Sequence, residues 1–137
     1  MNAQPEVWQD TVNDPRGTIE SLCDQPVGDI TRIFSKAGSV RSNHYHKTDW
    51  HILYVVSGKM LLYERPAGSG DIPKMRVLEA GEYAYTGPMV EHTTLFPQDT
   101  TLLCFSGNRR GKDAYEDDLV RCENLHALIR SGHFHRV

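Results

Sequence analysis

The sequence predicts an all-β domain, either a β-barrel or a two-sheet jelly roll. Short strand-like runs recur between residues 18 and 106, and glycine, proline and serine mark the turns between them. Strands of this length at this regular spacing are typical of barrels and sandwiches. At 137 residues, the chain suits one domain with a core of its own. We therefore expect a single all-β domain over residues 1–137.

The first 17 residues read as an extended N-terminal arm. Pro5, Pro15 and Gly17 interrupt any helical pattern, and residues 14–17 have the composition of a turn. Trp8 is too apolar to be left in water, so it packs either across the barrel wall or against a second subunit.

The predicted barrel core covers residues 18 to about 106. Ile30 to Ser35 alternates apolar and polar residues, as a half-buried strand does. A strand that carries the first histidines follows the turn at Gly38. Other strands are expected at 18–20, 50–56, 59–65, 74–78, 82–86, 92–96 and 100–106.

The pattern changes after Gly107. Apolar residues then recur at spacings of three and four, which predicts a short C-terminal helical segment, or a pair, over about 112–131. The residues that carry this pattern are Tyr115, Leu119, Cys122, Leu125, Leu128 and Ile129. We expect this segment to pack on the barrel.

Charge and composition narrow the function classes. The net charge of -3 argues against nucleic-acid binding, and the basic run 109–112 is expected to be a solvated loop. No apolar run is long enough to cross a bilayer, and the N-terminus lacks the pattern of a signal peptide, so we expect a cytoplasmic protein with no membrane partner. Its three cysteines have no paired spacing and are expected to be reduced, with Cys104 in the core.

Four histidines carry the clearest chemical signal. His44 and His46 alternate along one strand and therefore face the same side, and His51 opens the next strand. His92 follows a Gly-Pro turn and opens another β-rich run. Imidazoles gathered on one face are the beginnings of a metal site, whereas any one of them alone would more often be structural.

These histidines lie in two motifs that resemble the cupin superfamily. The first cupin motif is similar to the run Gly38, five residues, His44-x-His46, four residues, His51, six residues, Gly58. The second is similar to the segment from Gly81 through Gly87 to His92. The resemblance implies a jelly-roll barrel with a metal held by His44, His46, His51 and His92. His51 stands where most metal-binding cupins have glutamate, and Asp49 is a less well placed carboxylate.

A four-histidine site predicts one divalent transition metal ion per chain: iron, manganese, nickel, zinc or copper. Four neutral imidazoles leave the ion's charge uncompensated, which suits these borderline metals and attracts an anionic small-molecule substrate. An open coordination position favours dioxygenase or Lewis-acid isomerase chemistry.

Candidate catalytic or pocket residues surround this site. Arg41 either reaches the mouth to pair with a carboxylate or phosphate, or lies on the surface. Tyr54 and Tyr85, with Trp50 and Met60, either line the pocket or pack as ordinary core. Glu91 is a candidate partner or acid/base, although strand alternation points it away from His92.

Three further stretches resemble the cupin-fold sugar-nucleotide isomerases and epimerases. They are residues 14–17, 41–47 and 115–121; the middle one is similar to the Arg-Gly-x-His-x-His-Lys signature of 3,4-ketoisomerases, with Ser42 in place of the glycine. This resemblance implies a metal-free site in which His44 and His46 are acid and base, with Arg41 near the diphosphate.

Three functions therefore remain open. The first is a metal-dependent cupin enzyme, the second a metal-free sugar-nucleotide isomerase, and the third a cupin that binds a small ligand without turnover. The resemblance also implies a homodimer, with its contact expected at Trp8 or along the strand 30–35.

Overall fold

The computed structural model describes residues 11–131, so Trp8 and most of the N-terminal arm lie outside the described residues. The chain forms eleven strands and two helices in this range. In order they are β1 (Thr11–Asp14), β2 (Gly17–Glu20), β3 (Asp29–Ser35), β4 (Val40–His46), β5 (His51–Ser57), β6 (Lys59–Pro66), β7 (Lys74–Glu79), β8 (Tyr83–Thr86), β9 (Val90–Leu95), β10 (Thr100–Ser106), α1 (Lys112–Asp118), β11 (Leu119–Arg121) and α2 (Leu125–Ser131).

Two antiparallel sheets face each other to form the jelly roll. One sheet has four strands in the order β3-β10-β5-β8, and the other has five in the order β11-β4-β9-β6-β7. This all-β architecture with a short C-terminal helix confirms the predicted fold class. Each predicted strand from 18–20 to 100–106 is present, with end points that differ by at most a few residues.

Two short strands were not predicted. β1 pairs with β2 as a hairpin whose turn is Pro15-Arg16, so the end of the expected arm is a strand. β11 interrupts the expected helical segment and pairs with β4, opposite His44 and His46. The helical interpretation of Leu119 is therefore wrong, because pairing with β4 outweighs a weak spacing pattern.

The core lies between the two sheets. It is built from Leu53, Val55, Met60, Leu62, Leu78, Ala84, Phe96, Leu102 and Cys104, and all of these side chains are buried. A second cluster joins α2 to the outer face of the five-stranded sheet, where Leu125 and Leu128 pack on Tyr63. Full burial of a leucine contributes about 1.5–3 kcal/mol, so α2 is fixed chiefly by this apolar contact.

Within residues 11–131, neither helix has the length and apolar character needed to span a membrane.

Candidate functional site

A β-bulge places His44 in the barrel. The register between β4 and β9 shifts between Ser42 and His44, and both Ser42 and Asn43 have positive φ, at 75° and 59°. A bulge of this kind re-aims the side chain that follows it, at a backbone cost that must be compensated nearby. The Asn43 side chain supplies part of that compensation, because its Oδ1 accepts a hydrogen bond from Thr93 Oγ1 at 2.9 Å.

The barrel gathers all four predicted histidines into one buried cluster. The His44 ring lies 4.9 Å from that of His46 and 4.8 Å from that of His92, measured between centroids. The His46 ring lies 4.5 Å from that of His51. Each of the four is at least nine-tenths buried, so the strand positions read from the sequence converge as expected.

His44, His46 and His92 form one group that fits a metal ion. Each offers a ring nitrogen within 4.8 Å of those of the other two. His92 Nδ1 lies 2.9 Å from the Val90 carbonyl, so this nitrogen donates its proton there and leaves Nε2 free to ligate. Both His46 nitrogens are buried with no hydrogen-bond partner among the described residues, although Nδ1 lies 3.3 Å from Asp118 Oδ2.

His51 belongs to a different group, with Asp49 and His46. His51 Nε2 lies 3.1 Å from Asp49 Oδ2, and both side chains are buried. Burial alone would lower the pKa of His51, but hydrogen bonds to Asp49 and Cys104 outweigh it and raise the pKa to about 9. His51 is therefore an imidazolium ion at neutral pH.

The other three histidines are neutral at pH 7. Burial lowers the pKa of His44 to about 2, and the neighbouring His92 and His46 contribute to the same shift. Burial also lowers the pKa of His46 to about 4 and that of His92 to about 3. The cluster thus holds neutral imidazoles beside one charged imidazole.

A cavity of about 230 Å³ opens onto this cluster, and we call it the histidine cavity. His44, His51 and His92 line it, whereas His46 lies behind them. Its other ionisable lining groups are Arg41, Cys104, Arg110 and Tyr115, and its floor is apolar core that includes Leu53 and Phe96. No aspartate or glutamate is among the described residues that line it, so its charge is positive.

The remaining candidate catalytic residues lie elsewhere. Tyr54 and Tyr85 do not line the histidine cavity, because on β5 and β8 they alternate with the residues that face inward. Glu91 forms a buried ion pair with Arg65 at 2.7 Å, facing away from His92 as strand alternation predicts. Met60 is fully buried in the core, and Trp50 packs against the backbone of Gly107.

Several site residues were not predicted in their roles. Arg110 belongs to the run expected to be a solvated loop, Tyr115 was assigned to a packing helix, and Cys104 to the core alone. Asp118 accepts hydrogen bonds from Thr48 N and Thr48 Oγ1 at 2.8 and 2.7 Å, which ties the end of α1 to the loop before His51. The resemblance of residues 115–121 to the isomerases was the sequence signal that pointed to a functional role for this segment, whereas its apolar spacing predicted only a packing helix.

No protein-family model matches the chain, and no curated protein sequence matches it. Solved structures do match. The 3,4-ketoisomerase QdtA from Thermoanaerobacterium thermosaccharolyticum, in complex with TDP, is 18% identical with a TM-score of 0.64, over 91% of this chain and 90% of that one. A 3,4-ketoisomerase from Helicobacter canadensis is 18% identical with a TM-score of 0.67, over 91% and 93%.

The capsular polysaccharide assembling protein CapF from Staphylococcus aureus is 21% identical with a TM-score of 0.64 over 84% of this chain, which spans only 34% of CapF. These likenesses confirm the cupin resemblance at the level of structure. The chain has the RmlC-like cupin fold that sugar-nucleotide 3,4-ketoisomerases and epimerases share.

Proposed function

We propose that this protein is an isomerase that moves a ketone between adjacent carbons of a sugar linked to a nucleoside diphosphate. The observation that carries the proposal is the pairing of a neutral His44 with a cationic His51 in one cavity whose lining also includes two arginines. Support comes from similar ketoisomerase structures that cover about nine-tenths of both chains. The proposal takes up the metal-free alternative rather than the metal-dependent function that the sequence motifs favoured.

The chemistry needs one base and one acid on either side of an enediol. The base removes the proton from the carbon next to the ketone while the acid protonates the carbonyl oxygen. The enediol then loses its other hydroxyl proton, and the former carbonyl carbon is protonated. No electrons enter or leave, because one carbon is oxidised as its neighbour is reduced.

Two histidines with opposite pKa shifts suit these roles. Groups whose environments move their pKa values apart are the usual acid and base of a site. His51, held protonated by Asp49, is the acid, and neutral His44 is the base. An anionic substrate would raise the pKa of His44 and strengthen it as a base, since a nearby negative charge favours the imidazolium. This pairing replaces the expected pair of His44 and His46, because His46 does not line the cavity.

A metal-dependent function is the second candidate. The ring nitrogens of His44, His46 and His92 lie close enough together to hold one divalent transition metal ion, and neither nitrogen of His46 has a hydrogen-bond partner among residues 11–131. A bound ion would act as a Lewis acid on the carbonyl oxygen of the substrate. His51 would then remain with Asp49, so the site would have three histidine ligands rather than the four predicted.

Hydrogen exchange tests these functions together. The protein, untagged and treated with a chelator, is incubated in D₂O with TDP-linked 4-keto hexoses. NMR then follows deuterium uptake next to the ketone, with metal content measured in parallel. We expect exchange and isomerisation without metal, reduced about 10²–10⁴-fold by His51→Gln or His44→Gln. His126→Gln is the matched control, because His126 bonds Tyr63 on the outside of the barrel.

Each other outcome favours a different function. Exchange that disappears with the metal and returns when one metal is added supports the metal-dependent enzyme. Saturable binding of the sugar nucleotide without exchange supports the ligand-binding protein. Hydrogen exchange that survives in both His44→Gln and His51→Gln contradicts the proposed roles of these residues as base and acid.

A further inference from the structure

Arg110 is held over the mouth of the histidine cavity by an aromatic ring. Its guanidinium carbon lies 4.6 Å from the centroid of the Tyr115 ring, and both residues line the cavity. Stacking on a ring face uses the plane of the guanidinium and leaves its N–H groups free. Those donors are therefore available to a ligand at the mouth.

The loop that carries Arg110 is tied to residues 48–50, which immediately precede the strand of His51. Gly107 N donates to the Trp50 carbonyl at 3.2 Å, and Asn108 N donates to Asp49 Oδ1 at 2.8 Å. The Asn108 side chain also donates to Thr48 Oγ1 at 3.1 Å. Three contacts thus anchor the 107–111 loop immediately before Arg110, so its position is set by the residues next to the cluster.

Neither arginine of the cavity is neutralised. Among the ion pairs of the described residues, none includes Arg41 or Arg110. Arg41 instead donates to Ser35 Oγ at 2.8 Å and to the Phe34 carbonyl at 3.0 Å, which orient it without cancelling its charge. Since no carboxylate of residues 11–131 lines the cavity or pairs with either arginine, two guanidinium groups present their charge to it, which suits an anion with several acceptor oxygens.

We propose that Arg110 is a substrate-binding residue that holds the diphosphate of the substrate together with Arg41, and that Tyr115 positions it. This inference rests on the proposed function, since it names the group that anchors the sugar nucleotide. A cavity of about 230 Å³ accommodates a sugar ring. The diphosphate would then lie at the mouth, where Arg110 is exposed.

The preceding residue provides a matched control. Arg109 is also an exposed arginine of the 107–111 loop, but it lines a neighbouring depression together with Asp49 and Asp118. Removing Arg109 takes away the same charge from the same loop without touching the histidine cavity. If positive charge on the loop is all that matters, removing Arg109 or Arg110 should weaken anion binding equally. If Arg110 contacts the anion, only its removal should weaken binding.

Calorimetric binding of TDP and of inorganic pyrophosphate tests the inference, using Arg110→Ala, Arg110→Lys and Arg109→Ala. We expect Arg110→Ala to raise both Kd values about 10- to 100-fold, because the substitution removes a charge-assisted hydrogen bond to the ligand. The Kd values of Arg110→Lys should lie between those of the wild type and of Arg110→Ala, because lysine keeps the positive charge but lacks the planar guanidinium group. Arg109→Ala should change Kd by no more than about threefold.

Tyr115 is tested as a positioning residue in the same assay. Tyr115→Phe keeps the ring and should bind as the wild type does, whereas Tyr115→Leu should raise Kd about 3- to 10-fold. Thermal unfolding of each variant separates lost binding from lost folding. Equal effects of Arg110→Ala and Arg109→Ala, or no binding of either probe by the wild type, would overturn the inference.

Steady-state kinetics separate this inference from the proposed function. If the wild type isomerises the substrate and Arg110→Ala has the same KM, Arg110 does not bind the diphosphate, but the proposed isomerase function is supported. If TDP and pyrophosphate binding depends on Arg110 but no hydrogen exchange occurs, the anion site is established and the isomerase function is contradicted. With both correct, Arg110→Ala raises KM much more than it lowers kcat, because the diphosphate is bound equally before and during the reaction.

Discussion

The Asp49 carboxylate forms a buried ion pair with the His51 imidazole, with Oδ2 and Nε2 3.1 Å apart. Its other oxygen accepts backbone hydrogen bonds from Trp50 and Asn108, both at 2.8 Å. One carboxylate therefore sets the charge of the proposed acid and also anchors the loop that carries Arg110.

Replacing Asp49 by asparagine should remove a stabilisation that the folded protein has at neutral pH and loses in alkali. The pKa of His51 is raised in the folded protein to about 9, so its contribution is complete below the unfolded pKa of about 6.5 and is lost as pH rises through about 9. The wild type should thus lose stability from about pH 7 to about pH 10, and Asp49→Asn should lose less over that range. Urea unfolding across this range measures both slopes, and parallel slopes would contradict the ion pair.

The three neutral histidines should destabilise the protein in acid. Their pKa values are lowered on folding to about 2, 4 and 3, so the unfolded chain binds protons that the folded one does not below about pH 6.5. Each proton that only the unfolded chain binds costs about 1 kcal/mol of stability per pH unit, so the unfolding free energy should fall steadily below about pH 6. Unfolding with a chelator present should show a shallower dependence of stability on pH in His92→Gln than in the wild type, and an equal dependence in the two proteins would contradict the lowered pKa of His92.

Ser42 should tolerate glycine better than alanine. Its φ of 75° lies in the left-handed region, which costs a residue with a Cβ about 1–2 kcal/mol. Glycine relieves that strain, whereas alanine keeps it and also loses the hydroxyl contact with Thr94 Oγ1 at 3.4 Å. We expect Ser42→Gly to be about 1–2 kcal/mol more stable than Ser42→Ala. Equal denaturation midpoints would show that the bulge is not strained at this position.

The same position shows how far the sequence could predict the site. Comparison with the ketoisomerase signature identified Ser42 as the residue that stands in place of a glycine, and the left-handed backbone supplies the physical reason for that glycine. The strand periodicity of two also brought His44 and His46 to one face. Such predictions succeed where a local rule decides which way a side chain points.

The sequence could not predict which residues from different strands and loops come into contact in the fold. Nothing local shows that Asp49 takes His51 out of the group formed by His44, His46 and His92, because that depends on where β5 lies relative to β4. Arg110 was assigned to solvent from its charged neighbours, since the ring that holds it is five residues further along the chain. β11 was missed because its strand character comes from pairing with β4 rather than from its own residues.

Glu91 should matter for stability but not for catalysis. It forms a buried ion pair with Arg65, and its second oxygen accepts a hydrogen bond from Gly68 N at 3.2 Å. Removing one partner of such a pair leaves an uncompensated buried charge, so Glu91→Ala should lower the unfolding free energy by about 3 kcal/mol. The kcat of the folded variant should stay near that of the wild type. A large loss of kcat without loss of stability would return Glu91 to the list of catalytic candidates.

The outer face of the four-stranded sheet should form a contact between two copies of this chain, as the resemblance implied for the strand 30–35. Ile30, Phe34 and Val56 are about half exposed or more on this face, at 60%, 53% and 46%. A self-complementary apolar face is what a two-fold dimer needs. Sedimentation should find a dimer, and Phe34→Asp should raise its dissociation constant at least about tenfold. Met75→Asp is the control, since Met75 is 48% exposed on β7 of the other sheet; a wild type that sediments as a monomer would exclude the contact.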